Sequence, residues 1–211
     1  MADYKNIIPF IKSSEGGYSN NPSDPGAETN KGITWMTWIE FFGNTHDRFM
    51  TMTDADWTYI FYNGYWKQIK GDQIANQAIA DFLADWYWNS GAYAIGLPFE
   101  GQSYGVQQIL NDNFGYNLAT DGVLGPITLT AINSVDSNQL LDLLVQYRAQ
   151  YFQAIINYDP TQQQFAQGWT NRLNSLFNTV AQYIGDVTQV VTQSPGISAG
   201  VVFFCLLHSL L

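Results

Sequence analysis

The chain has few of the residue types that build metal sites, disulfides or charged surfaces. Its 211 residues include one cysteine and two histidines, and only 12% are charged. The single cysteine, Cys205, cannot form an internal disulfide, and His46 and His208 do not belong to a Cys/His cluster with metal-ligand spacing. We therefore expect no metal site and no cofactor.

Positive charge is also scarce. Eight Lys and Arg stand against eighteen Asp and Glu, which gives a formal net charge of −10. This balance disfavours broad attraction to nucleic acid, so we predict no nucleic-acid partner. The N-terminus, "MADYKNIIPFIK", lacks the basic segment and sustained apolar core of a signal peptide. We therefore predict that the chain carries no signal peptide.

Apolar and aromatic side chains are abundant, at 46% and 16% of the residues. This apolar fraction supports a packed core, and some of the aromatic rings could stack on flat ligands such as sugars. Helix-type spacing dominates, as in the segment that Thr53 and Asp56 open and over 72–91, 137–158 and 161–185. The sequence predicts a mainly α fold with a small β or irregular lobe near the N-terminus.

The stretch "SEGGYSNNPSDPGAETNKGIT", residues 14–34, interrupts this helical pattern. Its two carboxylates, Glu15 and Asp24, lie on either side of turn-forming residues that can fold the chain back. Glycosidic cleavage needs such a pair, one acid to protonate the leaving oxygen and another to activate water or stabilise charge. Thr29 could orient that water. Spacing alone is weak support for this interpretation and favours local roles instead, because a Glu at a helix end and an Asp in a turn are common for reasons of local hydrogen bonding.

Other chemistries have less support in the sequence. Ser13 and Ser14 have no neighbouring histidine or acid in the pattern of a serine hydrolase. Cys205 with His208 is better interpreted as a thiol in an apolar segment beside an incidental histidine. The glycines do not follow a phosphate-binding pattern, and the turn at Asp121 lacks the ligands of a calcium loop.

Three motifs resemble the N-terminal signature of the glycoside hydrolase family 108 muramidases: Glu15-Gly16-Gly17-Tyr18, Asp24-Pro25-Gly26 and the run from Thr29 to Thr34. The second half, with "YGVQQILNDNFGYNLATDGVLGPITLTAIN", Arg148 and "FAQGWTNRLNSL", resembles the predicted peptidoglycan-binding domain that follows in that family. Asn21 and Ala27 depart from the family pattern, but neither is a candidate catalytic residue.

The resemblance implies a domain organisation and a reaction. A lysozyme-like catalytic domain would occupy residues 1–98, a peptidoglycan-binding helical region 99–185, and a linker with an apolar C-terminal segment 186–211. The implied activity is cleavage of the β-1,4 bond between N-acetylmuramic acid and N-acetylglucosamine, as in a phage endolysin or virion-associated lysozyme. Bacterial peptidoglycan is the implied partner.

The resemblance also implies roles for single residues. Glu15 would be the general acid, in a partly apolar pocket that raises its pKa, Asp24 the base or charge stabiliser, and Thr29 the water-positioning residue. We expect Tyr18, Asn30 and Trp35 to line the groove, with core packing an equal alternative for Trp35. The late motif with Trp169 and Arg172 is either structural or in contact with the wall.

Several alternatives stay open at this stage. The chain could be a lytic transglycosylase, which needs one acid/base residue, or a non-catalytic peptidoglycan-binding component of a phage particle or secretion apparatus. The apolar run over 195–211 could pack on the core, associate with a membrane or dock into a phage-particle partner. The predicted location is the host cytoplasm and then, through a holin, the cell wall or periplasm, or the virion, with membrane association through 195–211.

Overall fold

The computed structural model describes residues 1–20 and 28–184. In these residues the fold is mainly α with one small sheet near the N-terminus, which confirms the predicted fold class. The strands are β1 (Ser19–Asn20), β2 (Glu28–Asn30) and β3 (Ile33–Thr34). The α-helices are α1 (Ile8–Ser14), α2 (Trp35–Phe42), α3 (His46–Met50), α4 (Asp54–Ile60), α5 (Gln77–Ser90), α6 (Val106–Phe114), α7 (Pro126–Ser134), α8 (Ser137–Tyr158) and α9 (Ala166–Val180).

The sheet is antiparallel, in the order β1-β2-β3. Asn30 pairs with Ile33, so only Lys31 and Gly32 connect β2 to β3. Both connecting residues have positive φ, 50° and 79°, which is the pattern of a type I′ hairpin turn. Glycine at the second position accepts this backbone conformation without a steric penalty, so the local sequence specifies a tight turn here.

The predicted helix start at Thr53 is confirmed by its cap, and two other helices begin with local signals of a similar kind. Thr34 caps α2 by accepting a hydrogen bond from the backbone N–H of Thr37, and Thr53 forms a capping box with Asp56 at the start of α4. Pro126 opens α7 at its first turn. The range 137–158 is helical throughout, as α8. Periodicity and capping chemistry are therefore enough to locate most of the helices.

The helices differ from the sequence prediction in several respects. α5 begins at Gln77 rather than at 72, and α9 ends at Val180 rather than at 185. The five-residue helix α3 was not anticipated, because it is too short to show a period. The segment Pro160–Phe165 is 3₁₀-helical, so the last long α-helix begins at Ala166 rather than at 161. α4 continues as a π-helical segment over Phe61–Trp66, a rare conformation that is frequent near functional sites.

Helix α5 lies at the centre of the core. Every residue from Ala78 to Trp86 is buried, and the helix packs against α8 and α9 from the second half of the chain. The core is therefore continuous from the N-terminal lobe to α9. Two of the buried residues of α5 are acids, Asp81 and Asp85, one turn apart on the same side of the helix.

The predicted membrane association is wrong for the part of the chain that the structure describes. Within residues 1–20 and 28–184, no helix combines the length and the apolar character needed to cross a bilayer. The run over 195–211, on which the prediction rested, lies outside the described residues. We therefore carry neither the membrane association nor the predicted route to the wall any further.

Asp81 makes the stability of the fold depend on pH. Burial raises its pKa to about 7, against the opposing effect of a hydrogen bond from Gln77, and the negative charge of Asp3 adds to the rise. Between about pH 4 and pH 7 the folded chain keeps a proton that the unfolded chain has released, so stability falls as the pH rises through this window.

We predict that Asp81→Asn stabilises the protein at pH 8 by about 2–4 kcal/mol, because asparagine needs no ionisation and still accepts the bond from Gln77. At pH 4 the two proteins should have similar stability. Urea unfolding at both pH values measures the difference. Glu100→Gln, which neutralises an exposed carboxylate, is the control, and an equal gain for both variants would contradict the prediction.

Candidate active site

Glu15 lies where α1 ends. Its backbone is extended, with φ −97° and ψ 142°, and its N–H still donates to the carbonyl of Lys12 at 3.3 Å. Gly16 and Gly17 follow, so the chain leaves the helix at this residue and the Glu15 side chain projects away from the last turn. The side chain is 18% exposed. A carboxyl group at this position is accessible but sheltered on most sides.

Two donors that are distant in sequence hold one oxygen of Glu15. The indole Nε1 of Trp88 on α5 donates to Oε1 at 2.9 Å, and Nη1 of Arg172 on α9 donates to the same oxygen at 3.1 Å. Neither donor contacts Oε2, which lies beside Gly32 in the hairpin turn. The carboxyl group is thus fixed at Oε1, and Oε2 is the oxygen from which a proton could be donated.

The hairpin turn beside Glu15 is fastened to the helices around it. Buried Asn30 donates from Nδ2 to the carbonyls of Phe49 at 2.7 Å and Met50 at 3.4 Å, both on α3. The backbone carbonyl of the next residue, Lys31, accepts a hydrogen bond from the indole Nε1 of Trp57 at 3.0 Å. These bonds hold the turn, and with it Gly32, against Oε2 of Glu15.

The Trp88 indole rests on aromatic rings from α4 and its π-helical extension. Ring centroids lie 4.5 Å from Tyr65, 5.4 Å from Trp57 and 5.9 Å from Phe61. Burial raises the pKa of Tyr65, and the negative charge of Glu15 contributes to the rise, which places this phenol in the electrostatic field of the site. Trp88 therefore has little freedom to move away from Glu15.

Arg172 connects Glu15 to a buried ion network. Its Nε and Nη2 donate to Oδ1 of Asp85 at 3.1 and 2.8 Å, while Nη1 of Arg148 on α8 donates to Oδ2 at 2.8 Å. Asp85 and Arg148 are almost fully buried, whereas Arg172 and Glu15 are partly exposed. The guanidinium of Arg148 also lies near the rings of Phe82 and Phe152, at 5.7 and 5.6 Å.

The ionisation of the two arginines reflects this network. Burial works against the charge of Arg172, but Asp85 and Glu15 outweigh it and raise the pKa of Arg172 above its ordinary value. Burial lowers the pKa of Arg148, and the attraction of Asp85 only partly compensates. Both side chains stay cationic at any physiological pH, since an arginine titrates far above it.

The structure brings only some of the predicted site residues close to Glu15. Thr29 lies in β2, opposite Ser19 and Thr34, in the hairpin whose turn contacts Glu15. Tyr18 is exposed and donates from its hydroxyl to Glu28 at 2.9 Å. Asp24 lies outside the described residues, so its distance from Glu15 is not defined. The catalytic assignment of Asp24 and Thr29 stays a prediction.

The other two predicted groove residues have packing roles in the structure. The amide of Asn30 is buried and bonded to α3, as described above. Trp35 is partly buried, with its ring 5.2 Å from His46 and 5.1 Å from Phe49. Their proposed contacts with a substrate stay predictions. Trp88, Asp85 and the link from Arg172 to Glu15 were missed, because only the fold brings them together.

Comparisons with known proteins agree with this architecture. Residues 8–91 match the family model of glycosyl hydrolase 108, and residues 103–174 match the model described as a predicted peptidoglycan domain. The structure is similar to that of SagA from Brucella abortus, with a TM-score of 0.68 and 25% sequence identity over 86% of this chain and 95% of that chain. No curated protein matches the sequence significantly.

The contact between Gly32 and Glu15 gives a test of how tightly the site is built. A β-carbon at position 32 would lie 2.5 Å from Oε2 of Glu15, so Gly32→Ala must push the carboxylate away from Trp88 and Arg172. Gly115, at the end of α6, also has positive φ, 74°, with ψ 19° in the left-handed α region, but open space around it. Gly115→Ala therefore carries only the backbone strain, which is about 1–2 kcal/mol.

We predict that Gly32→Ala loses about 1–3 kcal/mol more stability than Gly115→Ala, the value expected for breaking hydrogen bonds to a partly buried charged group. Chemical denaturation of the two variants measures this difference. Equal losses would show that Glu15 moves freely and that the contact imposes no constraint.

Proposed function

Because the chain combines a glycosyl hydrolase 108 domain with a predicted peptidoglycan domain, we propose that it is a muramidase. It would hydrolyse the β-1,4 bond between N-acetylmuramic acid and N-acetylglucosamine in bacterial peptidoglycan. The two family matches support a glycoside hydrolase that acts on peptidoglycan. The choice of this bond and the assignment of residues to the steps are our proposal.

The geometry of Glu15 carries the proposal. A glutamate with a merely local role at a helix end would be expected to face solvent or to bond to its own turn. Glu15 is instead held by Trp88 and Arg172, which are 73 and 157 residues away in the sequence. Both donors bind the same oxygen, and the other oxygen keeps a fixed position. This arrangement suits a general acid, because proton transfer requires that one carboxyl oxygen is held in a fixed orientation toward the leaving group.

Asp24 and Thr29 complete the proposed mechanism. Glu15 protonates the glycosidic oxygen, Asp24 activates a water molecule or stabilises the developing oxocarbenium charge, and Thr29 positions the water. The support for Thr29 is its place in the hairpin that contacts Glu15. By analogy with the phage enzymes we propose inversion at the anomeric carbon, which requires a separation of about 6.5–9.5 Å between the two carboxyl groups.

We propose that Tyr18 contacts the substrate directly. Asn30 and Trp35 would contribute to binding by packing the N-terminal lobe that carries the hairpin. Tyr18 is the most exposed of the three, and an exposed phenol can both stack on a sugar ring and hydrogen-bond to it. The role of the protein as a phage endolysin or virion-associated lysozyme also stays a proposal from the sequence resemblance.

Two alternatives differ in their products. A lytic transglycosylase would use Glu15 alone, since the C6 hydroxyl of the sugar displaces the leaving group and leaves a 1,6-anhydro product. A non-catalytic binding protein would release nothing. The fixed carboxyl group of Glu15 favours an enzyme over the binding protein, and the Asp24 motif favours hydrolysis over transglycosylation.

We predict that the purified protein releases reducing ends from peptidoglycan and that Glu15→Gln lowers this rate about 10²- to 10⁴-fold, because the amide cannot donate the catalytic proton. The amide oxygen can still accept the bonds from Trp88 and Arg172, so the fold should persist. Glu40→Gln, on the exposed side of α2, is the matched control and should keep full activity.

The products separate the remaining cases. Release of 1,6-anhydromuramyl sugars by the wild type, without new reducing ends, would replace hydrolysis by transglycosylation. Binding to peptidoglycan with no release of any product would refute the enzymatic proposal. A Glu15→Gln variant as active as the wild type would show that another residue is the acid.

A further inference from the structure

The four charged groups of the site form one chain of contacts with no net charge. Arg148 contacts Asp85, Asp85 contacts Arg172, and Arg172 contacts Glu15. Asp85 has one oxygen for each arginine, and Arg172 presents one edge to Asp85 and its remaining Nη1 to Glu15. Two positive and two negative charges therefore balance when Glu15 is ionised.

Asp85 affects the electrostatic environment of Glu15 through Arg172, to which both carboxyl groups are bonded. Arg172 stabilises the ionised form of Glu15, and a general acid must hold its proton until it reacts. By sharing Arg172, Asp85 offsets part of the positive charge that Glu15 experiences. Without Asp85, two buried or partly buried guanidinium groups would face one carboxyl group, and the ionised form would be favoured further.

We propose that Asp85 is a positioning residue for the reaction: it orients Arg172 toward Glu15 and offsets part of the positive charge that Arg172 presents to that carboxyl group. Arg148 holds Asp85 in turn. This inference rests on the proposed function, in which Glu15 is the general acid. It adds that α8 and the first part of α9, which lie in the region matched as a peptidoglycan domain and carry Arg148 and Arg172, supply part of the active site.

The other groups around Glu15 do not compete with this network in the described residues. Trp88 contributes an uncharged donor from α5, and Tyr65 faces the site from the π-helical segment as a neutral phenol. Lys12 lies one turn earlier on α1, but its ammonium group pairs with Asp54 at 2.9 Å. Arg172 is therefore the cation bonded to Glu15, and Asp85 is the carboxylate bonded to Arg172.

A purely structural role for Asp85 predicts a different behaviour. Buried ion pairs can simply join helices, and their loss then lowers stability without changing how the rate depends on pH. Charge balancing predicts a displaced pH profile. The alkaline limb of kcat/KM against pH reports loss of the acid's proton in the free enzyme, and it separates the two roles.

The first test is Asp85→Asn in the full-length protein, with soluble peptidoglycan fragments as substrate. We expect the alkaline limb to move to lower pH by about one unit, which is about a tenfold loss of kcat/KM at a fixed pH on that limb. Asp81→Asn is the matched control, because Asp81 is buried one turn earlier on the same helix and hydrogen-bonds to Gln77 rather than to an arginine. It should leave the profile in place.

The second test restores the charge balance. In Asp85→Asn/Arg148→Met one negative and one positive charge are removed together, so the alkaline limb should return toward its wild-type position. A structural role alone would not produce this rescue. If Asp85→Asn moves the limb no further than Asp81→Asn does, the proposal is overturned.

A third variant covers the case in which Asp85→Asn does not fold. Arg172→Met leaves the buried pair of Asp85 and Arg148 intact, and Arg172 itself is partly exposed. Loss of its charge should move the alkaline limb to higher pH and lower the maximal rate, because Glu15 loses a positioning contact. An unmoved limb in this variant would also overturn the proposal.

The outcome for Glu15→Gln keeps this inference distinct from the proposed function. If the wild type and Glu15→Gln are equally inactive, the proposed function fails and no profile exists to interpret. If Glu15→Gln is inactive, the wild type is active and the Asp85 and Arg172 variants keep the wild-type profile, only the role of Asp85 is refuted.

Discussion

The arrangement of the helices depends on one buried carboxylate. Asp85 lies in the middle of α5, where most of the buried residues are apolar, and its side chain has no exposure to solvent. A buried charge without partners would cost several kcal/mol, so the fold must bring cations to it. Arg148 from α8 and Arg172 from α9 meet this requirement. Their reach fixes how α8 and α9 lie on α5.

The same constraint links stability to the candidate active site. The position of the Arg172 guanidinium group depends on more than α9. One edge of the group is bonded to Asp85, and its remaining nitrogen is bonded to Glu15. Glu15 then receives its second donor from α5, three residues beyond Asp85. The site is thus assembled from the end of α1, the β2–β3 turn, α5 and α9, and it cannot form until these elements have packed.

Much of the fold follows from local sequence signals, whereas the site does so only in part. The caps at Thr34 and Thr53 and the proline in the first turn of α7, Pro126, mark helix starts because the chemistry that satisfies a helix end is local. A sequence motif was enough to identify Glu15 as the catalytic candidate. No motif indicated the roles of Trp88 and Asp85 on α5. Hydrophobic periodicity predicts which face of a helix is buried, but it does not identify the residues that pack against that face.

One signal in the sequence did point to the ion network. Acids at 81 and 85 share the buried face of an apolar helix, and a buried carboxylate predicts either a cationic partner or a raised pKa. The two residues illustrate the two outcomes: Asp85 has two arginines, while Asp81 has a glutamine and a pKa of about 7. The sequence does not distinguish them, since the partners lie 63 and 87 residues further along the chain.

The scarcity of positive charge gives the network a further meaning. The chain has three arginines, and each of them is bound to a carboxylate within the protein: Arg48 to Asp56, and Arg148 and Arg172 as described. With a net charge of −10, the protein does not use its guanidinium groups to attract an anionic wall. Two of them, Arg148 and Arg172, are bonded to Asp85 instead, and Arg172 also contacts Glu15. We therefore propose that retention on peptidoglycan depends on shape and on uncharged and aromatic groups, whose contacts ionic strength affects far less than it affects exposed charge pairs.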